Sequence, residues 1–222
     1  MTEKTHSITE TPKPKERQFK GLSLSERKAI RREKLIEAGI QAYGTHGFFA
    51  VTVKDICIQA KLTERYFYES FKNSEQLFQA VFLKLIDELQ ANIKQATTVH
   101  LGNSKDMIEA SLSALLNTLY QNPHMARIIY IDALLVQELH QQSTLHDTMI
   151  RFDHMIHHFV MAALRHSAHS ETEKVLISSG LNGYVTQIAI RWVTNGFEQN
   201  QTDVLTACKT VFFALFDQFA AD

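Results

Sequence analysis

The stretch 52-TVKDICIQAKLTERYFYESFKNSEQLF-78 decides how this chain is to be read. It holds two short helical segments separated by a tight turn. Thr52 is of N-cap type, and Val53, Ile56, Cys57 and Ala60 fall at helical spacing across residues 53–61. Thr63 can cap a second segment, from Glu64 to about Phe71. At about 100° per residue, Phe67 and Phe71 share one face of that segment while Tyr66 and Tyr68 fall on its flanks. Lys72 and Asn73 interrupt the pattern. Ser74 then caps a long amphipathic helix with the stripe Leu77, Phe78, Val81, Phe82, Leu85, Ile86, Leu89 and Ile93.

Upstream, 25-SERKAIRREKLIEAGIQAYGTHGF-48 starts as a helix at Ser25, carries Leu35, Ala38, Ala42 and Tyr43 as apolar positions, and ends at Gly47 as a C-terminal cap. Residues 1–24 are polar, contain Pro12 and Pro14, and read as a flexible tail. Downstream, the periodicity predicts helices over 104–121, 123–141, 144–168, 172–197 and 202–220, with Pro123 in a first turn and Asn195-Gly196 ending a helix. Only 8 Gly and 3 Pro occur in 222 residues, so the predicted fold class is all-α, with short connections folding the rear helices into an antiparallel bundle.

The net charge of −1 conceals a division. Residues 1–75 hold 14 Lys and Arg against 10 Asp and Glu, whereas residues 76–222 hold 9 against 14. A basic front and an acidic rear direct any polyanion to the first third of the chain. No apolar run is long enough to span a membrane, and the first twenty residues lack the apolar core of a signal peptide. Cys57 and Cys208 suit buried free thiols in a reducing compartment, so a cytoplasmic protein is expected. No phosphate-binding glycine loop or nucleophile elbow is present, and an enzyme is not expected. Six histidines lie in 146–170 (His146, His154, His157, His158, His166 and His169), but at no established ligand spacing; neither metal nor cofactor is expected.

Two short helices behind a longer one make a three-helix DNA-binding unit. The run 52–78, behind 31-RREKLIEAGIQAYGTHGF-48, resembles the N-terminal domain of the tetracycline-repressor (TetR) family of bacterial transcriptional regulators. The residues that carry the resemblance are Leu35, Ile36, Ala38, Gly47, Thr52, Val53, Ile56, Ala60, Phe67, Tyr68, Phe71 and Leu77. Three positions depart from the family pattern: Lys61 stands where the turn usually has Gly, Arg65 where a small residue is usual, and Ser74 where Lys opens the next helix. Lys72 can make up for that lost cation.

In this reading residues 25–73 form the helix-turn-helix domain, with the motif itself at 52–71, and 74–222 form the effector-binding and dimerisation domain. Ile56, Cys57, Ala60, Leu62, Phe67 and Phe71 are its core. The DNA-facing set is then Thr52, Lys54, Thr63, Glu64, Arg65, Tyr66, Tyr68 and Lys72. Arg65 can bond guanine O6 and N7, and Tyr66 and Tyr68 reach phosphate or a thymine methyl. Glu64 can accept from cytosine N4 or favour the helix N-terminus.

The resemblance further implies a homodimeric regulator, most often a repressor, on a palindromic operator in double-stranded DNA. It also implies an effector cavity, mostly apolar, for which Met107, Leu112, Leu116, Tyr120, Tyr130, Leu134, Met155, Phe159 and Tyr184 are candidates. The last two helices are apolar around more of their circumference than one face requires. Leu181, Tyr184, Ile188, Trp192, Val204, Val211, Phe212, Leu215 and Phe219 can supply an inner and an outer face, and Gly180 and Gly183 permit close approach. In the resembling family these helices pair with their mates in a dimer. The alternative is a helical ligand-binding or scaffold protein that has lost operator binding.

Overall fold

A computed structural model describes residues 23–100, 102–165 and 167–219. The expected tail therefore lies, but for its last two residues, outside the described residues. Ten α-helices follow in order: α1 Leu24–His46, α2 Val53–Ala60, α3 Glu64–Tyr68, α4 Ser74–Thr97, α5 Ser104–Gln121, α6 Pro123–Tyr130, α7 Gln137–Gln141, α8 Thr144–Ala163, α9 Glu171–Thr194 and α10 Gln201–Phe219. No strand occurs among the described residues. An N-terminal helix-turn-helix domain of α1 to α3 precedes a helical domain in which α4 packs on α5, α8 on α9, and α10 on both α5 and α9.

Local chemistry sets the helix ends. Ser23, not Ser25, caps α1: its hydroxyl accepts from the Glu26 N–H while Glu26 Oε2 accepts from the Ser23 N–H. Thr52 and Asp55 make the same reciprocal cap on α2. Helix α4 is capped by Asn73, whose Oδ1 accepts from the Gln76 N–H, and Ser74 is its first helical residue. Both caps sit at a residue whose side chain points back along the first turn, which Ser25 and Ser74 cannot do from within the helix. The stripe expected on α4 is buried residue for residue, from Leu77 to Ile93. At roughly 1.5–3 kcal/mol per fully buried large side chain, that stripe is a main source of the cohesion between the two domains.

The helix expected over 123–141 is broken. α6 stops at Tyr130, a 3-10 turn covers Asp132–Leu134, and α7 begins at Gln137. Asp132 is buried, sits 3.6 Å from Arg127 Nε, and accepts a hydrogen bond from the Phe48 backbone N–H. That long-range partner, in the loop after α1, turns the chain where helical periodicity would have continued it. Helix α8 ends at Ala163 rather than 168, and α3 at Tyr68 rather than Phe71, although the Phe71 N–H still bonds to the Phe67 carbonyl at 2.8 Å.

Candidate nucleic-acid interface and the cavity behind it

α3 is held on the domain by two side chains. Phe67 and Phe71 are buried with Ile56, Cys57 and Ala60 in one core, and Leu62 packs against it. The turn between α2 and α3 closes on Lys61, at φ 55° and ψ 43°. Lys61 takes this left-handed conformation, which costs a non-glycine residue roughly 1–2 kcal/mol, and the Leu62 N–H bonds the Cys57 carbonyl at 2.9 Å.

Pinning Phe67 inward leaves the opposite side of α3 in solvent. Thr63, Glu64, Arg65 and Tyr68 are exposed, with Tyr68 at 59%. Thr63 occupies the N-cap position without making a capping bond from its hydroxyl. Lys54 and Lys72 are exposed on either side. Thr52 is exposed too, but its hydroxyl donates to Asp55 Oδ2 at 2.6 Å. That bond, first among the causes, holds the Asp55 carboxyl below the ordinary aspartate range.

Tyr66 is placed differently from its expected flank. It is half-buried, with the Arg31 guanidinium 4.4 Å above its ring. Arg31 also lies 3.6 Å from Glu69, and Glu69 accepts from Arg65 Nε at 3.2 Å. One carboxylate thus sits between two arginines and ties α1 to the end of α3. Sequence reasoning passed over Glu69 and over its pairing with Arg31. The spacing of four between Arg65 and Glu69 was the available signal for one of the pairs; nothing local signals the other. An exposed i,i+4 pair is worth about 0.3–0.5 kcal/mol, whereas a bidentate arginine–guanine contact discriminates by roughly 1–3 kcal/mol. Glu69 therefore orients Arg65 without preventing it from turning to a base.

Residues 35–81 match the sequence profile described as bacterial regulatory proteins, tetR family. The matched segment spans the second half of α1, the whole helix-turn-helix and the first turns of α4. Over these residues the chain is similar to the DNA-binding domain of the TetR family. Solved structures agree in fold across both domains. The fatty acid degradation regulator FadR from Bacillus halodurans superposes with a TM-score of 0.68 at 12% identity, over 82% of this chain and 94% of that one. A TetR-family transcriptional regulator from Syntrophomonas wolfei gives 0.69 at 12% identity, over 85% and 96%. A TetR-like regulator from Rhodococcus sp. RHA1 gives 0.61 at 16% identity, over 87% and 97%. Comparison with curated proteins gives no match.

The rear domain contains two adjoining chambers. The first, about 70 Å³, lies among α4, α5, α6, α8, α9 and α10 and is lined by Leu112, Tyr130, Met155 and Phe159 together with Ile93, Ser111 and Phe152. The second, about 160 Å³, is lined by Phe82, Ile86, Leu134, Met149 and Ile190 among others. Tyr130, Phe152, Asn182 and Thr186 line both and form their common wall. Burial raises the Tyr130 phenol well above the ordinary tyrosine range. Of the other expected pocket residues, Leu116 is fully buried core, Met107 packs on its edge, and the Tyr184 hydroxyl donates to the Ala207 carbonyl at 3.0 Å. Tyr120 stacks on Trp192 at 6.0 Å, away from both chambers. Ser111, Phe152, Asn182 and Thr186 went unselected, because a cavity wall is defined by helices whose spacing in sequence is long.

The residues expected to join two copies divide between two environments. Leu181, Trp192, Val204 and Phe212 are buried within the chain, the last on the first chamber; Trp192 Nε1 donates to the Gln199 carbonyl at 2.9 Å. Tyr184, Ile188 and Leu215 are half-buried and Val211 is exposed. The Phe219 side chain lies outside the described residues. Beside Val211, the outer surface of the pair carries exposed Val175 and Leu176, with open space above Gly180 and Gly183. In the histidine-rich helix, His157 Nδ1 bonds Ser178 Oγ at 3.0 Å and His154 is exposed; His166 lies outside the described residues. Among the described residues no His, Cys, Asp or Glu group of three could hold a metal, and no helix is long and apolar enough to cross a membrane.

Proposed function

We propose that this protein is a TetR-family, ligand-responsive repressor that works in the cytoplasm and binds a palindromic operator as a homodimer. The observation that carries this reading is the face of α3, where Arg65 and Tyr68 stand exposed on a helix anchored by buried Phe67 and Phe71. Thr63, Lys54, Lys72 and Thr52 surround them as backbone anchors, Glu64 is set to accept from cytosine N4 or to favour the helix N-terminus, and Tyr66, braced by Arg31, supports the face from its edge. Residues 25–73 serve as the reading head and 74–222 as the sensing and pairing part.

Outward apolar residues on α9 and α10, beside small residues with open space above them, support a second copy on that surface. Twofold pairing sets two α3 helices to read half-sites about 34–36 Å apart. A ligand in the chambers touches Phe82, Ile86 and Ile93 of α4, the helix that continues directly from the reading head. Its differential affinity for two settings of α4 changes the distance between heads.

The test is gel-shift binding to DNA flanking the protein's own gene, with Arg65→Ala and Tyr68→Phe. Arg65→Ala should weaken binding by roughly 5- to 150-fold, from a lost base contact of about 1–3 kcal/mol. Unchanged affinity in both variants would refute the contact map. No shift by the wild-type protein would favour a helical ligand-binding protein without operator recognition.

A further inference from the structure

The wall between the two chambers is chemically unlike the rest of their lining. Elsewhere the surfaces are aliphatic, aromatic or thioether, joined by Ser111 and Thr148, whose hydroxyls are already given to the carbonyls of Met107 and Thr144. At the wall, the Tyr130 and Thr186 hydroxyls make no hydrogen bond among the described residues. Asn182 gives its amide N–H groups to Asp153 Oδ1 at 2.7 Å and the Met149 carbonyl at 3.4 Å, which leaves its own carbonyl oxygen as an acceptor. No Lys, Arg, His, Asp or Glu lines either chamber.

Polar groups that face an otherwise apolar cavity mark where a ligand's polar atom belongs, and this wall offers three. An anion would arrive there without a cation and with the Asp153 carboxylate behind Asn182; stripping water from such a charge is strongly unfavourable. A cation would lack a lining carboxylate. We propose that the chambers take an uncharged, mostly apolar molecule presenting one carbonyl or hydroxyl oxygen to Tyr130, Thr186 and Asn182, and that they reject fatty-acid-like carboxylates. This rests on the reading of the chambers as the effector site.

The test is calorimetric binding to the full-length protein of three probes of matched carbon number: dibutyl ketone, nonane and nonanoate at pH 8. The ketone should bind more tightly than nonane, and nonanoate at least about 100-fold more weakly than the ketone. Tyr130→Phe should weaken the ketone by about 3- to 10-fold, the loss of one net hydrogen bond, and leave nonane unchanged. Thr186→Trp, which fills the wall, should abolish binding of both neutral probes, with circular dichroism and melting confirming its fold. Nonanoate binding within about tenfold of the ketone, or a Tyr130→Phe variant that binds the ketone as well as wild type, overturns the ligand class while leaving the chambers as the site. No binding by any probe, or ketone binding that survives in folded Thr186→Trp, overturns the site itself.

Discussion

At Gly39 the first helix packs against α4 with no room for a side chain, and a methyl group there has a calculable effect. A Cβ at Gly39 would lie 2.9 Å from Val81 Cγ2, 3.4 Å from Tyr43 Cε2 and 3.6 Å from Leu77 Cδ2. Val81 is fully buried and β-branched, so its χ1 is held and the methyl cannot swing aside. Gly39→Ala gains about 1 kcal/mol of helix propensity in the middle of α1. It loses about 1–3 kcal/mol to overpacking, because carbon atoms prefer about 3.5–4.0 Å. The net expectation is a destabilisation of roughly 0–2 kcal/mol. Val81→Ala alone removes two buried methyl carbons and costs about 2 kcal/mol. In the double variant the new methyl enters the vacated space, so the loss should fall short of the sum by at least about 1 kcal/mol. Urea unfolding of the four proteins measures this coupling, and gel shifts on the same samples measure what it does to the operator. Gly39→Ala should change operator affinity by more than its stability loss explains, because α4 must move relative to α1 to relieve the contact. Additivity within about 0.5 kcal/mol, the value for independent sites, would refute the claim of a rigid α1–α4 contact.

Glu69→Ala should free Arg65 and Arg31 and remove a negative charge beside phosphates; affinity for unrelated DNA should rise while the operator-to-random ratio falls, and an unchanged ratio in competition gel shifts would count against Glu69 as the orienting group. Lys61→Gly should stabilise the protein by about 1 kcal/mol, seen as a higher Tm, since Gly adopts the left-handed turn at no steric cost; Lys61→Val should do the reverse. Asp55 is a depressed carboxyl, so its cap contributes above the ordinary aspartate range and is lost as pH falls through its lower folded value. Thr52→Val should return the Asp55 titration, followed by carbon NMR, towards the ordinary range, and no movement would show that Thr52 is not the cause.

The parts of the fold that were legible are those decided within a turn or two of sequence. The α4 stripe, the core role of Phe67 and Phe71 and the first-turn Pro123 each follow from spacing or residue type. The break after Tyr130 was not legible, because Asp132 bends the chain toward Phe48, more than eighty positions away. Tyr66 was assigned to the DNA face because its angle on α3 alone puts it there. Arg31, from another helix, moved it partly inside. The chamber wall failed for the same reason on a larger scale: Tyr130 ends α6, Phe152 lies in α8, and Asn182 and Thr186 lie in α9. Periodicity identifies which side of a helix is covered. It carries no information on where covered sides fail to meet.

The same tertiary contacts argue for two routes between chambers and DNA rather than one. Helix α4 runs from the reading head to the lining residues Phe82, Ile86 and Ile93. Helix α6 offers the second: Tyr130 at its end faces both chambers, and its first turns press against the end of α1. There a Cβ on Gly44 would lie 2.3 Å from His124 Cβ, and one on Gly47 would lie 2.5 Å from Arg127 Nη2. At Gly44 the two backbones lie too close for any side chain between them, so under the proposed ligand response a displacement of α6 at Tyr130 would be passed to α1. A ligand reaching only the α4 side would tilt one helix against a head still held by α6. One seated at the shared wall touches both, which is where its differential affinity for the two settings of the head is greatest. Under the proposed ligand response, sensing should concentrate at the wall residues, and substitutions in the outer reaches of either chamber should alter ligand affinity with little effect on how far DNA binding responds.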